Sequence, residues 1–194
     1  MRASGFVLAG GRSTRMGRNK ALLPFRGTTL VEQIAGIVGK ATDAVTLIGD
    51  PAQLSHLGLP VITDRFPARG PIGGIHAALA ATSTDWNLIV GCDMPALTVE
   101  ILRDLLGRAE QTSAVCVAAA VSPDELEPLC AVYHRRCLAA VDRAIREDRL
   151  KLKDLLDELG AEPALVPATA VANVNTRAEW TEFEAKQARG ERHL

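Results

Sequence analysis

Four short apolar runs dominate the first half of the chain: Phe6-Val7-Leu8-Ala9, Ala44 to Ile48, Val61-Ile62-Thr63 and Trp86 to Val90. Each stops abruptly at glycine or aspartate. None alternates apolar with polar residues, as a strand with one wet face would. Continuous runs are what strands buried on both faces require. Between them lie stretches of helical spacing. Thr28 or Thr29 is placed to cap a helix with Leu30, Val31, Ile34, Ile37 and Val38 on one side. An alanine-rich helix follows over 75–82, and Thr98 is placed to cap another through Ile101, Leu102, Leu105 and Leu106. Strand and helix alternate, so the expected class is α/β: a mostly parallel sheet with helices on both faces.

Beyond residue 112 the pattern changes. Ala114 to Ala119, Leu129 to Tyr133 and Ala164 to Val166 read as strands. Arg135 to Arg149, Leu152 to Leu159 and Arg177 to Ala188 read as helices. No repeat, low-complexity tract or linker divides the 194 residues. The simplest organisation is one domain over 1–194, the second half completing the sheet and adding a second lobe to the site. The chain is 47% hydrophobic and 23% charged, too apolar for a disordered chain. The net charge of −1 argues against a general nucleic-acid binder, and 4% aromatics against base-stacking platforms. No window has the roughly 18 apolar residues of a membrane span. The N-terminal apolar run is too short for a signal peptide. Cys92, Cys116, Cys130 and Cys137 form no CxxC pair, so free thiols in a reducing cytoplasm are expected. Cys92 reads as a small buried filler.

The near-zero charge hides a segregation. Residues 1–40 hold seven Lys+Arg and one acid; the other 154 hold fifteen and twenty-two. Four of those seven cations, Arg12, Arg15, Arg18 and Lys20, stand within nine residues of one glycine-led loop. Gly10 and Gly11 let the backbone come close to a ligand and expose N–H donors to phosphate oxygens. Arginine adds planar bidentate donors and lysine a mobile point charge, a set suited to a triphosphate. The spacing is neither a P-loop nor GxGxxG.

Two further loops follow strand ends. The first, 64–74, carries Asp64 and then Gly70-Pro71-Ile72-Gly73-Gly74. Its glycines can admit a base or phosphate before a helix; Asp64 reads either as a base or ribose contact or as a turn former. The second places Asp93 after Trp86 to Val90, in Gly91-Cys92-Asp93-Met94-Pro95. A lone carboxylate there suits Mg2+ shared with phosphates and water; the plainer alternative is a helix cap. In an open parallel sheet, loops at the carboxyl ends of strands converge on one crevice. His76, among alanines, reads as a packed or solvent-facing helical residue. Late in the chain, Asn175 and Thr176 of Asn173-Val174-Asn175-Thr176 are placed to cap the last helix; asparagine side chains also suit a hydroxyl or metal-water contact.

Taken together, Leu8-Ala9-Gly10-Gly11-x-Ser13-x-Arg15-Met16-Gly17-x-x-Lys20 resembles the signature of the GT-A-like, Rossmann-type nucleotidyltransferases. Asp64 with Gly70 to Gly74, Cys92-Asp93-Met94-Pro95, Glu127-Pro128-Leu129 running to Tyr133, and Asn173 to Thr176 are most similar to the molybdenum cofactor guanylyltransferases. Gly10-Gly11 supports this, since cytidylyl and uridylyl relatives usually carry Ala-Gly.

The resemblance implies a three-layer Rossmann-like sheet, with 1–112 as the nucleotide-binding half and 113–194 as the substrate-side half. It implies that Leu8, Ala9, Gly10, Gly11, Arg12, Ser13, Lys20, Asp64, Gly70, Gly73 and Asp93 contact GTP. Arg15, Lys20 and Asp93 would be the catalytic set, Asp93 the Mg2+ ligand, and Asn175 a contact to molybdopterin or Mo-molybdopterin. Other molybdenum-cofactor proteins are implied as partners. The chain departs from the pattern at Ile48-Gly49-Asp50, where relatives often carry Asn. Three alternatives remain: cytidylyl transfer to molybdopterin, nucleotidyl transfer to another phosphate acceptor, and a non-catalytic nucleotide-binding module.

Overall fold

The structure is a computed structural model that describes residues 2–10, 20–25, 27–66 and 68–190. The elements in chain order are β1 (Ala3–Leu8), β2 (Pro24–Phe25), β3 (Thr28–Thr29), α1 (Leu30–Gly39), β4 (Ala44–Ile48), α2 (Pro51–Leu54), β5 (Val61–Ile62), α3 (Pro71–Ala81), β6 (Trp86–Gly91) and α4 (Val99–Gln111). The second half adds β7 (Cys116–Ser122), β8 (Glu125–His134), α5 (Leu138–Arg146), α6 (Leu152–Leu159), β9 (Glu162–Leu165) and α7 (Arg177–Gly190).

Among the described residues, seven strands form one sheet in the order β5-β4-β1-β6-β8-β7-β9. β5, β4, β1 and β6 pair in parallel. β8 is antiparallel to both β6 and β7, and β9 is parallel to β7. The mostly parallel sheet is therefore as expected, with β8 the one strand running against the rest. Its two faces carry separate cores. Val7, Leu88, Val90, Val117 and Val132 point to a core shared with α1 and α4. Phe6, Leu8, Ile89, Ala118 and Tyr133 point to a core shared with α3, α5 and α6. Adjacent residues of each strand are thus buried on opposite faces, which is why the strands read as unbroken apolar runs.

α1 begins where the sequence placed it. Thr29 accepts from the Glu32 N–H, and the Glu32 carboxylate accepts from the Thr29 N–H at 2.8 Å, a reciprocal capping box. α3 begins earlier than expected. Gly70 is its N-cap at φ 71°, Pro71 occupies the first turn, and Gly73 and Gly74 are helical. Proline at the first helical position supplies the right φ and wastes no donor, so the glycines belong to a helix rather than a loop. α2 and the β2–β3 hairpin went unread in the sequence. Phe25 of β2 packs edge-on against Trp180 of α7, ring centroids 5.3 Å apart, with Phe183 at 5.8 Å. This aromatic contact fastens α7 across the hairpin that follows Lys20. No helix among the described residues is long and apolar enough to cross a membrane.

Candidate functional site

β1 runs to β4 and β5 on one side, and the chain then returns to place β6 on the other. The carboxyl ends of β1 and β6 therefore flank a topological switch point, where open α/β sheets leave a crevice. Leu8 pairs with Gly91, and the Cys92 N–H donates to the Leu8 carbonyl at 3.1 Å. On the other flank the Ala9 N–H donates to Ile48 O at 2.9 Å, and the Gly49 N–H to Ile62 O at 3.0 Å. Four strand ends are thus laced side by side.

At the β1 end, Leu8 and Ala9 are buried and Gly10 is exposed. A Cβ on Gly10 would make ordinary contact with the Gly49 Cα at 3.4 Å, whereas one on Gly49 would fall 2.7 Å from Leu54 Cδ1, so it is Gly49 that has no room for a side chain where the β1 and β4 termini meet. Gly11, Arg12, Ser13 and Arg15 lie outside the described residues. Lys20 opens a 3-10 turn over Lys20–Leu22. At Ile48-Gly49-Asp50, the Asp50 carboxylate caps α2, accepting from the Ala52 N–H at 3.0 Å and the Gln53 amide at 3.1 Å.

Asp64 follows β5 and is half-buried against the first turn of α3. One oxygen accepts from the Phe66 N–H at 2.6 Å. A Cβ on Gly73 would fall 2.5 Å from that oxygen and 2.6 Å from the other. The missing side chain at 73 is what makes room for the carboxylate, and the helix N-terminus favours negative charge there. Gly74 does the same for Leu8, whose side chain would be 2.8 Å from a Cβ. These contacts join the 64–74 segment to the β1 terminus. The turn-forming reading of Asp64 is the one this geometry displays.

His76 lies below, 8% exposed, with the Phe66 ring edge-on at 5.0 Å and Asp142 3.7 Å from Nε2. It is packed, as the sequence suggested.

Asp93 folds back over Gly91, where a Cβ would meet Oδ1 at 2.8 Å. It is not the cap of α4; Thr98 holds that position. The Asp93 carbonyl accepts from the Val174 N–H at 2.9 Å, which draws segment 173–175 across the loop. Beside them stands Glu127, which the sequence marked only as part of Glu127-Pro128-Leu129, with no role for its side chain. Burial raises its pKa; the Leu129 N–H lowers it, the charge of Asp93 raises it, and Asn173 lowers it. Thr176 and Glu179 exchange hydrogen bonds at the start of α7, and the Asn175 N–H also donates to Glu179. The capping role expected of this segment is therefore present, carried by Thr176, while the Asn173 amide turns to Glu127 at 3.5 Å.

Carboxylate and amide oxygens are hard donors of the kind Mg2+ takes. No group of three or more His, Cys, Asp or Glu that could hold a metal occurs among the described residues. A donor set of one or two carboxylates fits a Mg2+ whose remaining ligands are phosphate and water. Cys116, Cys130 and Cys137 are buried and free, and burial pushes the Cys137 thiol up to about 12. Cys92 is half-buried.

Residues 5–163 match the model of the MobA-like NTP transferase domain. The chain is 31% identical over 196 residues to a molybdenum cofactor guanylyltransferase of Desulfosudis oleivorans, covering 94% of each chain. It is 38% identical over 182 residues to a probable molybdenum cofactor guanylyltransferase of Mycobacterium bovis, covering 90% of each. The crystal structure of molybdopterin-guanine dinucleotide biosynthesis protein A from Archaeoglobus fulgidus superposes with a TM-score of 0.81 at 24% identity, over 96% of this chain and 99% of that one. At that identity the likeness shows the shared fold.

Proposed function

This chain belongs to the MobA-like NTP transferase family, and on that premise we propose that it transfers GMP from GTP to the terminal phosphate of molybdopterin, releasing pyrophosphate. The observation that carries the reading is the placement of Asp93 beside the glycine-led end of β1, the two bonded through Cys92 and Leu8 at the switch point. The names of the relatives support guanylyl transfer as the reaction.

The chemistry asks little covalent work of the protein. The attacking phosphate is already an anion, so no protein nucleophile and no general base are needed. The work is to hold two anions in line and offset the charge that builds on the α-phosphate and pyrophosphate. Backbone at Leu8, Ala9, Gly10 and Gly11, with Arg12 and Ser13, cradles the nucleotide. Arg15 and Lys20 stabilise the charge that develops on transfer. Asp64, set over Gly73, contacts the nucleoside, with Gly70 and Gly73 beside the nucleotide. Asn175 faces the acceptor. Asp93 would hold Mg2+; the ion, when bound, would supply charge neutralisation to the phosphates. The nucleotide half is 1–112 and the acceptor half 113–194 of one unit. Other molybdenum-cofactor proteins are the fitting partners and the cytoplasm the fitting compartment.

The test is a pair of substitutions. D93A lowers turnover by orders of magnitude while circular dichroism shows the fold intact. K20A costs about 2–4 kcal/mol of transition-state stabilisation, the value of one preorganised donor. Turnover unchanged in D93A removes Asp93 from the reaction. A K20A loss confined to KM assigns Lys20 to uniform binding.

A further inference from the structure

β8 is not a regular strand. Ala118 pairs with Ala131, but the next residue, Ala119, pairs with Glu127. Residues 128–130 are the surplus, a bulge at the point where β8 passes the Asp93 loop; Val90 still pairs with Cys130, and Gly91 comes next. Pro128 sits in that bulge, where a strand tolerates a missing donor. The bulge is fastened from both sides. The buried Tyr133 hydroxyl donates to the Pro128 carbonyl at 2.8 Å, and the Leu129 N–H donates to Glu127 Oε1 at 3.1 Å. The other Glu127 oxygen receives the Asn173 amide at 3.5 Å. The next residue, Val174, is buried and bonded to the Asp93 carbonyl. Bulges beside active sites re-aim a side chain. Here the side chain aimed is Glu127, and it spans from the bulge to segment 173–175.

We propose that Glu127 is a positioning residue for the acceptor substrate: by bridging the β8 bulge to Asn173 it fixes segment 173–175, and with it Asn175, across the Asp93 loop. The inference rests on the acceptor-side reading of Asn175 given above. It assigns Glu127 a linking role that depends on hydrogen bonding and not on its charge. Glutamine at 127 still accepts from Leu129 and, with an amide in place of the second oxygen, still pairs with the Asn173 side chain after that amide turns. Alanine does neither.

The experiment uses the full chain with GTP, Mg2+ and molybdopterin, in wild type, E127A, E127Q, N173A and E127A/N173A. The expected result is a tenfold or larger rise of the molybdopterin KM in E127A, with the GTP KM within twofold of wild type. E127Q stays within threefold of wild type. The double variant is no worse than E127A alone, since one link is lost once. Independently of turnover, hydrogen exchange at the Val174 amide is faster in E127A and unchanged in E127Q. Three results overturn the proposal: an unmoved acceptor KM in E127A, E127Q as damaged as E127A, or Val174 exchange insensitive to E127A. Wild type inactive with GTP and molybdopterin overturns the functional reading instead, while the exchange comparison still decides whether Glu127 fixes the segment.

Discussion

Replacing Gly73 by alanine separates the stability of α3 from the placement of Asp64. A Cβ at 73 would sit 2.5 Å from Asp64 Oδ1, 2.6 Å from Oδ2 and 2.8 Å from Cγ. Ordinary contact begins near 3.4 Å, so the carboxylate must retreat by about 1 Å. It is the far end of a side chain and can do so, but it then loses the 2.6 Å bond from the Phe66 N–H. A charge-assisted bond of this kind is worth about 1.5–3 kcal/mol. Alanine inside a helix returns about 0.8–1 kcal/mol relative to glycine. The net loss of stability is therefore small, about 0.5–2 kcal/mol, a fall in Tm of a few degrees for a chain of this size. If Asp64 makes one charge-assisted bond to the nucleoside, its displacement costs about 1.5–3 kcal/mol there as well, a ten- to hundredfold rise in the GTP Kd. Calorimetric titration of G73A, D64A and the double variant with GTP checks this. The double variant is expected to bind no worse than D64A. A G73A Kd within twofold of wild type refutes the reasoning, as does a large G73A effect when D64A has none.

Three shorter predictions follow from burial. In the native protein a thiol reagent reaches Cys92 at most, and Cys116, Cys130 and Cys137 react only on unfolding, because burial raises all three thiols; mass spectrometry of native alkylation reads this, and rapid labelling of Cys130 contradicts it. Burial, then the charge of Asp93, raises the pKa of Glu127, so the folded chain binds this proton more tightly than the unfolded one. The stability this group gives is complete below its unfolded value and lost as pH rises through the folded one. E127Q escapes that loss, so its Tm relative to wild type climbs from pH 4 to pH 8; a difference that does not change with pH contradicts the sign. Y133F removes the buried hydroxyl that donates to the half-buried Pro128 carbonyl and costs about 0.5–1.5 kcal/mol in denaturant unfolding; no measurable cost means the bulge holds without it.

The strands and their order of burial were legible because burial on two faces writes itself into consecutive apolar residues, as Val7 and Leu8 go to opposite cores. That loops after β1 and β6 meet was legible because each apolar run stops at a glycine, Gly10 after one and Gly91 ahead of Asp93 at the other. Contacts made across the fold were not. Pro71 to Gly74 resembles a turn until Asp64 and Leu8 are seen pressed on the two glycines. Asp50, just past the end of β4 where the chain departs from the family pattern, caps α2 with its carboxylate, a short helix that no local apolar pattern marks. Glu127-Pro128-Leu129 stood out as a motif, but the bulge it builds was not legible, because a bulge is a mismatch between two strands and exists in neither alone.

Guanylyl transfer is distinguished from its alternatives by a nucleotide panel. Full-length protein with molybdopterin and Mg2+ is offered GTP, CTP, ATP and UTP in turn, and pyrophosphate release is followed. Release with GTP, together with a product carrying GMP on the molybdopterin phosphate, is the predicted result; release with CTP and none with GTP contradicts it.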